Sequence, residues 1–175
     1  MKMLLSLFLS SVLLYACTTD KQHDIGMVSA YVPVYANKQE AKQISMQVAQ
    51  PIVNGGKIAV LGHYVFQVEQ DKGIHIIDYA NSISPTKVGF IKNAFCRELT
   101  LKGNYIYTNN LADLVVLDIS NPATVVVTRR LENAFPDLAI QYPPATNCYF
   151  ECADPSKGEV IGWTLTTVNN PQCKR

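Results

Sequence analysis

From Lys57 onward the chain alternates between short apolar runs and turn residues, and the runs are too short for helices. Apolar and β-branched residues dominate 57–61, 64–69, 73–79 and 86–91, then 97–101, 104–109, 113–119 and 125–131. Between them stand Gly62-His63, Asp71-Lys72-Gly73, Asn81 to Pro85, Gly103-Asn104, Ala112-Asp113 and Asn121-Pro122. Links this short and rich in Gly, Asn and Asp join antiparallel strands, so each group of four runs predicts a β-meander. The third run of each group, Ile74-His75-Ile76-Ile77 and Leu114-Val115-Val116-Leu117, is apolar almost throughout. A half-buried strand would alternate; a continuous run predicts a strand covered on both faces.

The two groups are copies of one another. Asp78 matches Asp118, Asn81 matches Asn121, and Asn93-Ala94-Phe95 recurs as Asn133-Ala134-Phe135, all forty residues on. Upstream the offset is 41 (Gly62 with Gly103, Tyr64 with Tyr105), which places a one-residue insertion between these landmarks. A period near forty built from β-type runs is the signature of stacked four-stranded units such as propeller blades.

The strand exits carry a family resemblance. Ile-His-Ile-Ile-Asp-Tyr-Ala-Asn (74–81) and Leu-Val-Val-Leu-Asp-Ile-Ser-Asn-Pro (114–122) resemble the LVIVD repeat, the second copy more closely. The resemblance covers Lys57 to Leu131. It implies an all-β, propeller-like fold in exported or surface-attached bacterial and archaeal proteins, mostly of unassigned activity. A closed propeller usually has four to eight blades. The expected architecture is therefore two blade-like meanders (within 51–135) and a partial third unit or C-terminal β cap (136–175), not a ring closed by this chain alone.

The rest of the chain reads less regularly. Residues 18–36 suit a tether followed by an edge segment, and 37–49 a short helical turn leading into a strand. Beyond Pro143-Pro144, residues 148–152 and 159–168 look like two strands joined by Asp154-Pro155-Ser156-Lys157-Gly158, which is turn chemistry. The start of the chain is different in kind. Lys2 and the apolar run Met3 to Leu14 precede Leu14-Tyr15-Ala16-Cys17, a run too short to span a bilayer. This reads as a secretory signal over 1–16, and its ending resembles a bacterial lipobox. That resemblance implies acylation of Cys17, a lipidated tether and N-terminal cap over 17–50, and an outer-membrane or cell-surface location.

Composition narrows the function classes. Lys and Arg number 15 against 14 Asp and Glu, with no basic stripe, so no nucleic-acid partner is expected. Apart from Cys17 there are four cysteines, and in an exported chain four allow three disulfide connectivities. Cys152 and Cys173 flank an apparent hairpin, so the expectation is Cys152–Cys173 with Cys96–Cys148. Cys148-x-x-x-Cys152 is half of a metal motif without its other half; no metal and no cofactor are expected.

No residue is nominated as catalytic. Asp78, Asp118, Asn81 and Asn121 stand where turn residues accept backbone N–H groups. Phe95 and Phe135 suit packing between repeats. His75 in its apolar strand reads as a hydrogen-bonded core histidine and His63 as a solvated turn residue. Trp163, Tyr149 and Phe150 read as core rather than as an aromatic sugar platform. The expectation is a membrane-anchored, non-enzymatic module that binds a protein or glycan or serves as a scaffold, with an envelope hydrolase of sugars or peptides as the alternative. Two blades also leave faces that need terminal caps or self-association.

Overall fold

The structure, a computed structural model, describes residues 24–136 and 142–175. Residues 1–16, expected to be a signal segment, and Cys17, the expected acylation site, lie outside the described residues. The chain enters through strand β1 (Met27–Ala36), a helical turn α1 (Lys38–Lys42) and a short strand β2 (Ser45–Gln47). The first repeat follows as β3 (Gly55–Leu61), β4 (Tyr64–Glu69), β5 (Gly73–Asp78) and β6 (Thr86–Lys92). The second is β7 (Leu99–Lys102), β8 (Tyr105–Asn110), β9 (Asp113–Asp118) and β10 (Val126–Leu131). Each repeat is an antiparallel meander, and β2 adds to the outer edge of the first to give the order β2-β6-β5-β4-β3. The fold is all-β and propeller-like, and the sheets do not close into a ring.

Local chemistry explains the shared form of the repeats. Each opening hairpin turns through two residues, Gly62-His63 between Leu61 and Tyr64, and Gly103-Asn104 between Lys102 and Tyr105. Gly62 and Gly103 have φ of 60° and 56°, as a type II′ turn requires at its first central residue. The inserted residue lies in the next hairpin. Glu69 pairs with Gly73 across Gln70-Asp71-Lys72, whereas Asn110 pairs with Asp113 across Leu111-Ala112 alone. The last pair of strands carries a bulge at the same place in both copies, at Val88 and at Thr128.

The repeats stack face to face, and the core lies between them. Phe66, Val68, Ile74, Ile76 and Ile91 of the first repeat meet Leu99, Ile106, Val115 and Leu117 of the second, with Cys96 and Ile119 completing the cluster. Strand alternation puts these two sets on opposite faces of their sheets: Phe66 corresponds to Tyr107, which points away from the joint, and Ile106 to Val65. The front of one repeat therefore packs on the back of the next. The third strands differ accordingly. Ile74, His75 and Ile76 are all buried in β5, but in β9 only one side is sealed, with Leu114 and Val116 half-buried.

A third sheet, ordered β12-β1-β11-β13, combines both ends of the described chain: β11 (Tyr149–Phe150), β12 (Glu159–Asn169) and β13 (Cys173–Lys174). This corrects the expectation of an edge segment before Ala36. β1 lies inside the sheet, antiparallel to β12 along its whole length and parallel to β11 at Ala30 and Tyr31. The physical reason is length: β12 has eleven residues, and β1, with ten, covers nearly all of them. Gly26 and Asn170 close the far end, the Gly26 N–H donating to Asn170 Oδ1 and the Asn170 N–H to the Gly26 carbonyl.

Cys152 and Cys173 form a disulfide with Cα atoms 5.3 Å apart. The second expected bridge is absent: Cys96 and Cys148 are both free thiols. Cys96 is sealed in the joint between the repeats, its sulfur 3.2 Å from Thr108 Oγ1. Cys148 belongs to the third sheet, where its sulfur donates to the Ala145 carbonyl. With Cys152 bonded to Cys173, Cys148-x-x-x-Cys152 is not a pair of thiolate ligands.

Candidate interaction surface

The repeated polar residues hold turns. Asp78 Oδ1 accepts from the Ala80 N–H at 2.8 Å; Asp118 Oδ1 accepts from the Ser120 N–H at 2.8 Å and its hydroxyl at 2.6 Å. Asn81 and Asn121 accept from the N–H groups of Ile83 and Ala123. The bonds from Ser120 hold the Asp118 carboxyl below its ordinary range. His63 is exposed, its Nε2 4.0 Å from Asp78 Oδ2.

The Asn-Ala-Phe segments tie strand exits to hairpin tips. Around the first, the N–H groups of Asn93 and Phe95 donate to the carbonyls of Lys72 and Asp71, and the Leu111 N–H of the next tip donates to the Ala94 carbonyl. Phe95 takes φ of 55° and is buried. Around the second, the Phe135 N–H donates to the Ala112 carbonyl, but Phe135 is only half-buried.

Two buried polar centres hold the N-terminal segment. In the first repeat Glu69 Oε1 and Oε2 accept from the N–H groups of Asn54 (2.6 Å) and Val53 (3.1 Å), the end of the segment connecting β2 to β3. A carboxylate can only accept, so His75 Nε2–H donates to Glu69 Oε2 at 2.9 Å. His75 is 1% exposed, lies against Phe90 and has no hydrogen-bond partner at Nδ1. Burial pushes the Glu69 carboxyl up, but the bonds from His75, Asn54 and Val53 prevail and hold it below 4.5. In the second repeat Asp113 is met by Lys42 Nζ (2.9 Å), an Arg130 Nη (2.7 Å) and the Asn133 N–H (2.9 Å). Burial pushes its carboxyl up, and these donors together bring it below 3.8. Arg130 also donates to the Lys42 carbonyl, and Asn110 Nδ2 to that of Ala41.

A polar cleft of about 630 Å³ opens where the first repeat's hairpin tip meets the C-terminal unit. Asn54, Gln70, Asp71, Arg97, Tyr142 and Arg175 line it. Its one side-chain carboxylate among the described residues is engaged, with Arg97 Nε donating to Asp71 Oδ1 at 2.5 Å. The Arg97 guanidinium stands 5.4 Å from the Phe95 ring centre and that of Arg175 5.8 Å from Tyr142. Stacked guanidinium groups beside amides recognise carboxylates, phosphates and hydroxyl-rich ligands. None of the six carries a sequence motif; the positive φ at Asp71 and the tip geometry bring them together.

The aromatic residues of the third sheet do not make one platform. Phe150 is buried edge-on to Trp163 at 5.6 Å and to Tyr142 at 6.0 Å. Tyr149, its neighbour in the strand, points to the other face beneath Lys174. Among the described residues no group of three His, Cys, Asp or Glu side chains is placed to hold a metal ion, and no helix is long and apolar enough to cross a membrane.

The LVIVD repeat matches this chain twice, at residues 54–92 and 96–131, the two meanders of the stack. The chain carries two LVIVD repeats. No curated protein and no solved structure matches it. In this LVIVD-repeat protein the residues that define the motif, Asp78 and Asp118 among them, shape turns. The cleft is built from residues that only the tertiary fold assembles.

Proposed function

We propose that this LVIVD-repeat protein is a lipid-anchored, non-enzymatic module of the cell envelope that holds a protein or glycan partner in the cleft between Asn54, Gln70, Arg97 and Arg175. One observation carries the reading: the cleft offers donors and ring faces, while the one side-chain carboxylate that lines it among the described residues is committed to Arg97. Glu69, His75 and Asp113 are buried in structural bonds and supply no acid or base to it. A hydrolase of glycosides would need two carboxylates flanking the scissile bond.

The test places a photo-activatable residue at Gln70 in the full chain within intact cells. Adducts of discrete mass, lost when Arg97→Ala and Arg175→Ala are added, are expected. Turnover of glycan or peptide substrates by the purified chain, abolished by Asp71→Asn, would replace this reading with the hydrolase. The anchor rests on Leu14-Tyr15-Ala16-Cys17 and is checked separately. Acyl mass and detergent-phase partitioning are expected for the wild type and are lost in Cys17→Ser; an unacylated wild type removes the anchor.

A further inference from the structure

The joint between the repeats is a front-to-back joint, and the chain exposes one spare half of it at each end of the stack. The back of the second repeat presents Leu99, Ile106, Val115 and Leu117 to the joint, with Leu101 packed against them. The counterpart of Val115 in the first repeat is His75, already sealed beside Glu69 and Phe90. Register places Ile58, Val60, Val65 and Ile77 at the positions of Leu99, Leu101, Ile106 and Leu117 on the back of the first repeat. All four are apolar there too, yet Ile58 is 60% and Val60 53% exposed, where Leu99 is 7%. The front behaves as the mirror of this. Tyr64, Phe66, Ile74, Ile76 and Ile91 form the front of the first repeat, buried or packed against the core. Their counterparts Tyr105, Tyr107, Leu114, Val116 and Leu131 form the front of the second, with Tyr105 41% and Leu131 61% exposed. A groove of about 500 Å³ runs there between Tyr107, Leu114 and Phe135.

We infer that these two faces bind each other in different copies of the chain. The front of the second repeat in one copy receives the back of the first repeat in the next, reproducing between chains the joint already present within each. This goes beyond the cleft and involves none of its residues.

Charge selects the occupant and the orientation. Lys57 and Glu98 hold equivalent places beside the innermost strands and form an ion pair across the internal joint. In a head-to-tail joint the Glu98 of one copy stands opposite the Lys57 of the next, again opposite in sign. Joining two like ends would set Lys57 against Lys57 or Glu98 against Glu98. The corner of the back face near Glu69, where residues 53–54 are tied, corresponds to the corner near Asn110 that α1 occupies in the internal joint. A segment of the chain fills that corner in both repeats. Head-to-tail contacts of this type propagate, closing into a ring if the rotation allows and otherwise extending.

Two substitutions at exposed positions test this without threatening the fold: Val60→Glu on the back face and Leu131→Glu on the front. Sedimentation velocity of the full chain in mild detergent is expected to show species above monomer for the wild type and monomer for each variant alone. Mixing the two variants leaves one intact front and one intact back, so an equimolar mixture is expected to give a heterodimer that goes no further. A monomeric wild type at all concentrations overturns the proposal. So does a pattern in which only one substitution matters and mixing restores nothing, since that describes an isologous dimer through a single face.

Discussion

The two repeats share a backbone and differ at one corner, and the difference shows how the fold adapts a fixed geometry to what it must hold. Glu69 and Asn110 are equivalent, as are Gly73 and Asp113, His75 and Val115, Phe90 and Arg130. At that corner the first repeat meets the end of the segment 48–54, which presents backbone N–H groups, and it supplies a carboxylate to accept them. The second meets the C-terminal end of α1, which presents carbonyls, and it supplies the amide of Asn110 and the guanidinium of Arg130 to donate. The last carbonyls of a helix lack partners within it. A donor is needed at one corner and an acceptor at the other, and each repeat carries the matching side chain. His75 and Asp113 are the consequences: one donates to the buried Glu69, the other balances the half-buried Arg130.

The largest expected effect comes from breaking the second corner. Asp113→Ala leaves Arg130 facing Lys42 without its carboxylate, and Lys42 with only the exposed Glu132 at 3.4 Å. Deleting one partner of a fully buried ion pair costs about 3–5 kcal/mol. Lys42 and Arg130 keep some contact with solvent, so about 2–3 kcal/mol is expected here. Urea denaturation should show a loss of this order. A loss under 1 kcal/mol would mean that solvent screens the corner and that it does not anchor α1.

A smaller effect sharpens the contrast through pH. Glu69 and Asp113 both have folded-state values below their ordinary 4.5 and 3.8. The unfolded chain then binds more protons than the folded one as the solution is acidified, so stability falls with pH. The contribution is complete above the unfolded values and is lost as pH drops from about 5 through the folded values. Glu69→Gln at neutral pH should cost about 1–3 kcal/mol, because it replaces one accepting oxygen by a donor facing the N–H of Val53 or Asn54 or the His75 ring. Combined with Asp113→Asn it should flatten the acid limb of the urea-midpoint profile. An unchanged limb would locate the acid sensitivity in other carboxylates.

Strands and turns of the repeats were legible because their determinants are local. Gly62 and Gly103 fix the hairpins, and Asp78 and Asp118 close links of a few residues with their own following N–H groups. In the third sheet the strands at 149–150 and 159–169 and the turn between them were legible, but their pairing with β1 was not. β1 pairs with β12 across more than a hundred residues, and nothing within either strand names its partner. The Cys152–Cys173 bridge follows from a nearby hairpin, whereas the fate of Cys96 depends on how two sheets stack. The cleft shares that dependence: Asp71 and Arg97 meet because a hairpin tip docks on the chain leaving β6.

The smallest perturbation asks whether the joint between the repeats opens. Cys96 sits inside it, and its counterpart in the second repeat is Pro136, at the exposed front face. Burial pushes the Cys96 thiol up to about 11, so at pH 8 almost none is thiolate even where reagent arrives. Cys148 is half-buried in the third sheet and outside the joint. With iodoacetamide under native conditions, Cys148 should alkylate first and Cys96 only at the rate of opening of the stack. That rate should rise in Asp113→Ala, which releases α1 from the second repeat, and not in Arg175→Ala, which touches only the cleft. If Cys96 labels as fast as Cys148 in the wild type, the two repeats do not form one sealed core, and the comparison between their corners loses its structural basis.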